Sequence, residues 1–269
     1  MTASSTFISA GGDGYELQMG RWSRRLAPLF LDFAGITHAE SVLDVGCGTG
    51  SLSFCLAQQA DIGAVRGLDF APVYVDYARH RNDDKRIEFE VGDACAMPYP
   101  DASFDHTLSM LVLQFVPEAD RAIREMRRVT RPGGTVAAAT WDSRGGLVTY
   151  RMFFDTAAML SEKANERRGR TYTRPLSRPG ELARAWTEAG LEDVVQDMRT
   201  IRMDFQSFDD YWAPCEGKDG PLADYVGSLD SEEKVRLREA LRLAYLDGEP
   251  DGARSYAATS WVVKGTVPA

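Results

Sequence analysis

The stretch "VLDVGCGTG", Val42–Gly50, places three glycines within five positions, directly behind a short apolar run that ends in an acid. Glycine loses more chain entropy on folding than any other residue, so such a cluster marks a loop in which side chains cannot be tolerated. Preceded by a strand and followed by the helical pattern "SLSFCLAQQ", the loop is a tight turn. It aims free backbone N–H groups and the positive end of a helix dipole at whatever lies above the strand's C-terminal edge. A nucleotide or a nucleoside-bearing cofactor suits that geometry.

Strand and helix patterns alternate outward from this loop, over residues 41–142, as in a parallel sheet covered by helices. "SVLDVG" is a first strand, "GAVRGLDF" a second, "RIEFEVGD" a third and "FDHTLSMLVL" a fourth. A turn "RPGG" precedes the fifth, "TVAAAT". A helix begins at Pro72, where the missing N–H costs little, and another covers about 117–129. His38 falls in the loop before the first strand. Beyond Asp142 the pattern breaks into a first insertion over 143–178, a helix and sixth strand over 179–202, a second insertion over 203–252, and a closing strand in 253–269. Residues 1–40 form an N-terminal helical segment.

Two acids stand at the ends of the second and third strands. Asp69 closes the second strand 19 positions past Gly50, where a carboxylate can accept hydrogen bonds from both ribose hydroxyls. Asp93 ends the third strand, where it can receive an adenine amino group. Three strand ends then converge on one crevice.

The ordered set "VLDVGCGTG", "GLDFAP", "GDACAMPYPDASFD", "LVLQFVPE" and "RPGG" resembles the class I S-adenosylmethionine-dependent methyltransferases, in particular the small-molecule branch that includes the ubiquinone and menaquinone biosynthesis enzymes. "YELQMGRWSRRLAPLF" resembles the lead-in helix of that branch. The resemblance implies a Rossmann-like α/β fold: a seven-stranded sheet of order 3-2-1-4-5-7-6, last strand antiparallel, with helical and loop cap insertions. It implies S-adenosyl-L-methionine as cofactor, S-adenosyl-L-homocysteine as product, and roles for particular residues. Gly46, Gly48 and Gly50 cradle the methionine and ribose portion; Asp69 binds the ribose hydroxyls; Phe70 packs on adenine; Asp93, with Ala94, holds the adenine amine. Met110 lines the methionine side. Arg21 is a candidate for the cofactor carboxylate, with Tyr15 and Trp22 nearby. Gln114 stands where many relatives carry His.

In the implied topology both insertions emerge over the cofactor. Their aromatics, including Tyr150, Phe153, Phe154, Tyr211 and Trp212, suggest a partly apolar small acceptor, although each can equally pack the cap onto the core. Gln114, Asp142, Tyr150, Tyr211 and Trp212 are the candidates for substrate contact. None of the three histidines is placed to act as a base, and no catalytic base is assigned. An NAD-dependent oxidoreductase is disfavoured because GxGxxG requires glycine at position 51, which is Ser51. A chain that binds the cofactor without transferring a methyl group stays open.

The charge balance, 31 basic against 40 acidic residues for a net −9, disfavours a broad grip on nucleic acid. The basic run "RAIREMRRVTR" reads as a solvated helix face. The four cysteines, Cys47, Cys55, Cys95 and Cys215, lack metal-ligand spacing and read as reduced thiols; no metal is expected. Apolar runs are too short to span a bilayer, and the first residues lack the pattern of a secretory signal. The expected setting is the cytoplasm, as a monomer or homodimer.

Overall fold

The computed structural model describes residues 5–7 and 10–269; of the expected N-terminal segment, residues 1–4 and 8–9 lie outside the described residues. Helix α1 (Gly12–Tyr15) passes through a π turn (Glu16–Gly20) into α2 (Arg21–Ala34). There follow β1 (His38–Val45), α3 (Ser51–Gln59), β2 (Asp61–Asp69), α4 (Pro72–His80), β3 (Ile87–Val91), β4 (Phe104–Met110), α5 (Ala119–Val129) and β5 (Thr130–Trp141). Helices α6 (Val148–Leu160), α7 (Glu162–Tyr172) and α8 (Glu181–Glu188) precede β6 (Glu192–Phe205). Then come α9 (Phe208–Trp212), α10 (Gly220–Gly227), α11 (Ser231–Leu246) and β7 (Arg254–Thr266).

The strands form one seven-stranded sheet of order β3-β2-β1-β4-β5-β7-β6. Pairings among the first five are parallel, and β7 runs antiparallel to both β5 and β6. A parallel sheet must be covered on both faces, and the helix patterns provide this. In α5, Ala122, Ile123, Met126 and Val129 are fully buried, the spacing of one helical stripe. Arg121, Arg124 and Arg128 on the remaining surface pair with Glu118, Asp120 and Glu125. Three cations of the basic run are thus matched by acids of their own helix or its first turn.

Local readings shift in three places. His38 is not in a loop: it opens β1, in register with Asp61, whose carboxylate lies 3.0 Å from its ring. The "RPGG" turn lies inside β5, whose pairing with β4 jumps from Phe104↔Thr130 to His106↔Thr135. Arg131–Gly134 therefore bulge out opposite Asp105, and Gly133 takes a left-handed φ of 78° that favours glycine. β6 continues to Phe205 because Met203–Phe205 keep pairing with β7, so the second insertion starts after it.

The two insertions meet as a helical cap. Phe153 and Phe154 of α6 pack edge-on and tilted against Tyr225 of α10, and Phe208 and Tyr211 of α9 pack against Tyr245 of α11. Among the described residues no helix is long and apolar enough to cross a membrane.

Candidate functional site

A cavity of about 580 Å³ opens at the C-terminal ends of β1, β2, β3 and β4, between the sheet and the cap. This is where a doubly wound sheet leaves its crevice, at the point where strand order reverses.

The floor is the glycine loop. Gly46 and Cys47 donate their N–H groups to Leu68 O, and Gly50 closes a turn onto Cys47 O. Gly46, Gly48 and Gly50 all have left-handed φ, at 74°, 53° and 90°, but they serve different needs. A Cβ on Gly46 would stand 2.3 Å from the Val112 side chain, and one on Gly50 would stand 2.6 Å from Phe54 and 2.9 Å from Phe89. At Gly48 the nearest atom is the Tyr15 hydroxyl at 3.7 Å. Gly46 and Gly48 line the cavity, whereas Gly50 faces aromatic packing behind it.

Asp69 joins this loop to the next. Its Oδ2 accepts from Gly48 N at 2.8 Å and its Oδ1 from Ala71 N at 2.8 Å. Each oxygen keeps a further lone pair for a ligand. Burial pushes the Asp69 pKa up, and the N–H groups of Ala71, Gly48 and Phe70 oppose that rise. Phe70, half exposed, and the Asp93–Ala94 pair complete this side of the wall; Asp93 Oδ1 also accepts from Cys95 N at 2.8 Å.

Behind the floor lies Asp44, the acid that ends the apolar run. It is 1% exposed and accepts from Ser53 Oγ at 2.7 Å. Burial, with Asp69 adding to it, pushes its pKa up to about 7, from an ordinary 3.8. The folded chain therefore holds a proton on Asp44 between about pH 4 and pH 7 that the unfolded chain has released, so this group's contribution to stability falls as pH rises through that window. We expect the stability of Asp44→Asn, relative to the parent protein, to rise by on the order of 2 kcal/mol between pH 4.5 and pH 7.5 in urea titrations. A pH-independent difference would show that Asp44 ionises normally in the fold.

The opposite wall comes from the N-terminal segment and the cap. Ser5, Phe7 and Tyr15 reach the cavity from the segment, Leu147, Tyr150, Thr171 and Arg174 from the first insertion, and Pro221 from the second. Buried Asp219 latches the segment in place: its Oδ1 accepts from Ala10 N, Gly11 N and the Tyr74 hydroxyl. The Tyr15 ring lies 5.0 Å from that of Tyr74, and burial keeps its hydroxyl protonated.

Of the residues singled out by sequence, Tyr15, Gly46, Gly48, Asp69, Phe70, Asp93, Ala94, Gln114 and Tyr150 come together in this wall. Five others do not reach it, beyond Gly50. Met110 is buried in the core one residue short; the chain leaves β4 through Leu111, which lines the cavity with a left-handed φ of 67°. Such a conformation is costly for leucine and persists only where surroundings impose it. Asp142 caps its own turn, accepting from Arg144 N and Gly145 N. Tyr211 donates to Thr149 O, and Trp212 stacks on Phe208; both are buried in the cap. Arg21 is held by Asp210 at 2.8 Å and lies over the rings of Trp22 and Phe205. Arg21→Ala should leave S-adenosylhomocysteine affinity within about twofold while lowering stability by about 1 kcal/mol. Calorimetry and urea melts check the pair of outcomes; a large affinity loss would return Arg21 to the site.

The residues that sequence did not single out, Trp141, Leu147, Thr171, Arg174 and Pro221 among them, belong to the cap or its root. For all but Trp141, which ends β5, the only signal is membership of an insertion over the crevice. The three histidines lie outside the cavity wall; His106, near the far end of β4, accepts from Thr135 N, and burial lowers its pKa. Among the described residues all four cysteines are free thiols, and no cluster of His, Cys, Asp or Glu could hold a metal ion.

Comparison with known proteins fits this geometry. Residues 43–138 match the family model for a methyltransferase domain. A demethylmenaquinone methyltransferase of Lactobacillus johnsonii is 42% identical over 106 residues, 38% of this chain and 43% of that protein. A 27-O-demethylrifamycin SV methyltransferase of Amycolatopsis mediterranei is 37% identical over 117 residues, 42% of this chain and 43% of the relative. The chain thus spans less than half the length of either curated relative. Among solved structures, a phosphoethanolamine N-methyltransferase of Haemonchus contortus, in complex with phosphomonomethylethanolamine and S-adenosylhomocysteine, aligns with a TM-score of 0.59 at 15% identity, over 96% of this chain and 57% of its own. Over residues 43–138 this chain is thus similar to a methyltransferase domain, and over about the same stretch to named methyltransferases.

Proposed function

We propose that the protein transfers the methyl group of S-adenosylmethionine to a small-molecule acceptor held under the cap. The observation that carries this reading is Asp69, whose two oxygens tie the glycine loop to the second loop while lining a cavity beside Gly48, the glycine of that loop whose Cβ position is open.

The residues fit an adenosyl group. Asp69 offers acceptors to a ribose diol, Phe70 an exposed ring face to a base, and Asp93 with Ala94 a polar edge. When bound, the donor supplies a methyl group on positive sulfur: the acceptor's lone pair bonds to that carbon as the carbon–sulfur bond breaks, its electron pair staying with sulfur.

The chain's own part is alignment and exclusion of water. Phe7, Leu147 and Trp141 close the chamber with apolar surface. Gln114 Nε2 donates to Leu111 O, which leaves its Oε1 buried without a partner, ready to accept from an acceptor's O–H or N–H. The Tyr150 hydroxyl accepts from Gln18 Nε2 at 3.2 Å and keeps its own proton to donate. An acidic hydroxyl or thiol acceptor reacts without further help, whereas an alkyl hydroxyl needs a base.

The test is twofold. Calorimetry should show S-adenosylhomocysteine binding at least 100-fold tighter than NAD⁺, and radiolabelled S-adenosylmethionine should pass its methyl group to members of a phenol, amine and thiol panel. Tighter NAD⁺ binding would overturn the cofactor assignment; tight cofactor binding with no transfer to any acceptor would favour a binding protein.

A further inference from the structure

Arg174 stands in the cap wall of the cavity with its guanidinium over the Phe115 ring, 4.5 Å from the centroid. It lies close enough to the Tyr150 hydroxyl to interact electrostatically, and burial disfavours its charged form. Among the described residues it has no ion pair and no hydrogen-bond acceptor, although most arginines of this chain are matched to an acid. A half-buried guanidinium stays charged, and leaving it without a counter-charge costs free energy.

The same side chain also faces outward. A second cavity of about 400 Å³ adjoins the first, sharing Gln114, Phe115, Val116, Thr171 and Arg174, and carries Arg167 and Arg170 on its rim. Its sole acid among the described residues, Asp224, is already paired with Arg167. The outer groove therefore presents the uncompensated charges of Arg170 and Arg174 at the mouth of an apolar chamber. Low-dielectric walls of one charge sign focus the field on anions. At the far end, the chamber is negative through Asp69 and Asp93. The polarity of the site thus reverses along its length, and the positive end is the one roofed by the cap.

Resting on the methyl-transfer reading, we propose that the acceptor is an apolar, ring-sized molecule bearing a carboxylate-type anion, which Arg174 receives while its guanidinium rests over the Phe115 ring. Fork-shaped donors match a carboxylate in two parallel hydrogen bonds, and the apolar surface of Phe115, Leu147 and Trp141 suits the acceptor's body. Arg174 is accordingly a specificity residue that touches the acceptor away from the reacting atom.

The test uses a matched probe pair, 6-hydroxy-2-naphthoate and its neutral carboxamide, titrated into the full-length protein saturated with S-adenosylhomocysteine. The acid should bind roughly 10- to 100-fold tighter than the amide. Arg174→Gln should erase that ratio, Arg174→Lys should retain part of it, and neither should change S-adenosylhomocysteine affinity more than about twofold. Equal binding of acid and amide, no binding of the acid, or a preference that survives Arg174→Gln would overturn the proposal. Should the protein fail to bind S-adenosylhomocysteine, the methyl-donor reading falls by itself. The acid-to-amide ratio in the unsaturated protein, with its dependence on Arg174, then decides this proposal separately.

Discussion

Asp69→Ala is expected to weaken S-adenosylhomocysteine binding by on the order of 1000-fold, because two losses coincide at one side chain. The first is a charged acceptor for the ribose diol, with hydrogen bonds to a charged group contributing about 1.5–3 kcal/mol each. The second is the clamp itself: Gly48 N and Ala71 N both lose the carboxylate that orders their loops. Asp69→Asn separates the two. An amide oxygen can still accept from one loop N–H, but the other position becomes a donor facing a donor. Asn should therefore recover part of the loop order and little of the affinity. Calorimetry on both variants, with thermal melts for fold integrity, gives the comparison; undiminished affinity in the alanine variant would remove Asp69 from the site.

Gly48→Val is expected to abolish cofactor binding while leaving the fold standing. The backbone φ of 53° is strained for any side chain, at about 1–2 kcal/mol, which a domain of this size can absorb. Space is not the obstacle for the protein, since the first added atom comes no nearer than 3.7 Å to Tyr15. The branched methyls occupy the channel between the loop and Tyr15, where a ligand must touch backbone. Gly48→Ala should lower affinity less, roughly 10- to 100-fold on the loss of one or two backbone contacts. Gly46→Val makes the opposite error: its Cβ collides with Val112 at 2.3 Å, so the fold itself should suffer, and by more than at Gly48. Circular dichroism and melts read the fold while calorimetry reads the site. Normal binding by Gly48→Val would show that the ligand does not approach this backbone.

What sequence could reveal follows from how locally each feature is determined. The glycine loop, Asp69 and Asp93 are tied to strand ends, and a strand end is written in a few consecutive residues. Their convergence then follows from the strand order alone. Met110 was a one-residue slip: Leu111 takes the lining position through a left-handed turn that no pattern of apolar residues announces. Arg21 illustrates a different failure, because its partner Asp210 lies 189 positions away, on a short helix of the cap. Tyr211 and Trp212 were read as substrate contacts from their aromatic character, yet the cap needs those rings for its own core against Phe208 and Tyr245. Arg174 is hidden for the converse reason: in a run rich in arginine, one that lacks an acid cannot be told from its neighbours until the acids are placed.

On this reading one crevice grips an adenosyl group between Asp69 and Asp93 and turns its sulfur toward the chamber under the cap. A crystal structure with S-adenosylhomocysteine is the decisive test. Both ribose hydroxyls should lie within hydrogen-bond distance of the Asp69 carboxylate, with the base against Phe70 and beside Asp93, and the sulfur open to the space bounded by Gln114 and Tyr150. Density for the ligand anywhere else, or a ribose that leaves Asp69 bound only to its two backbone N–H groups, would contradict it.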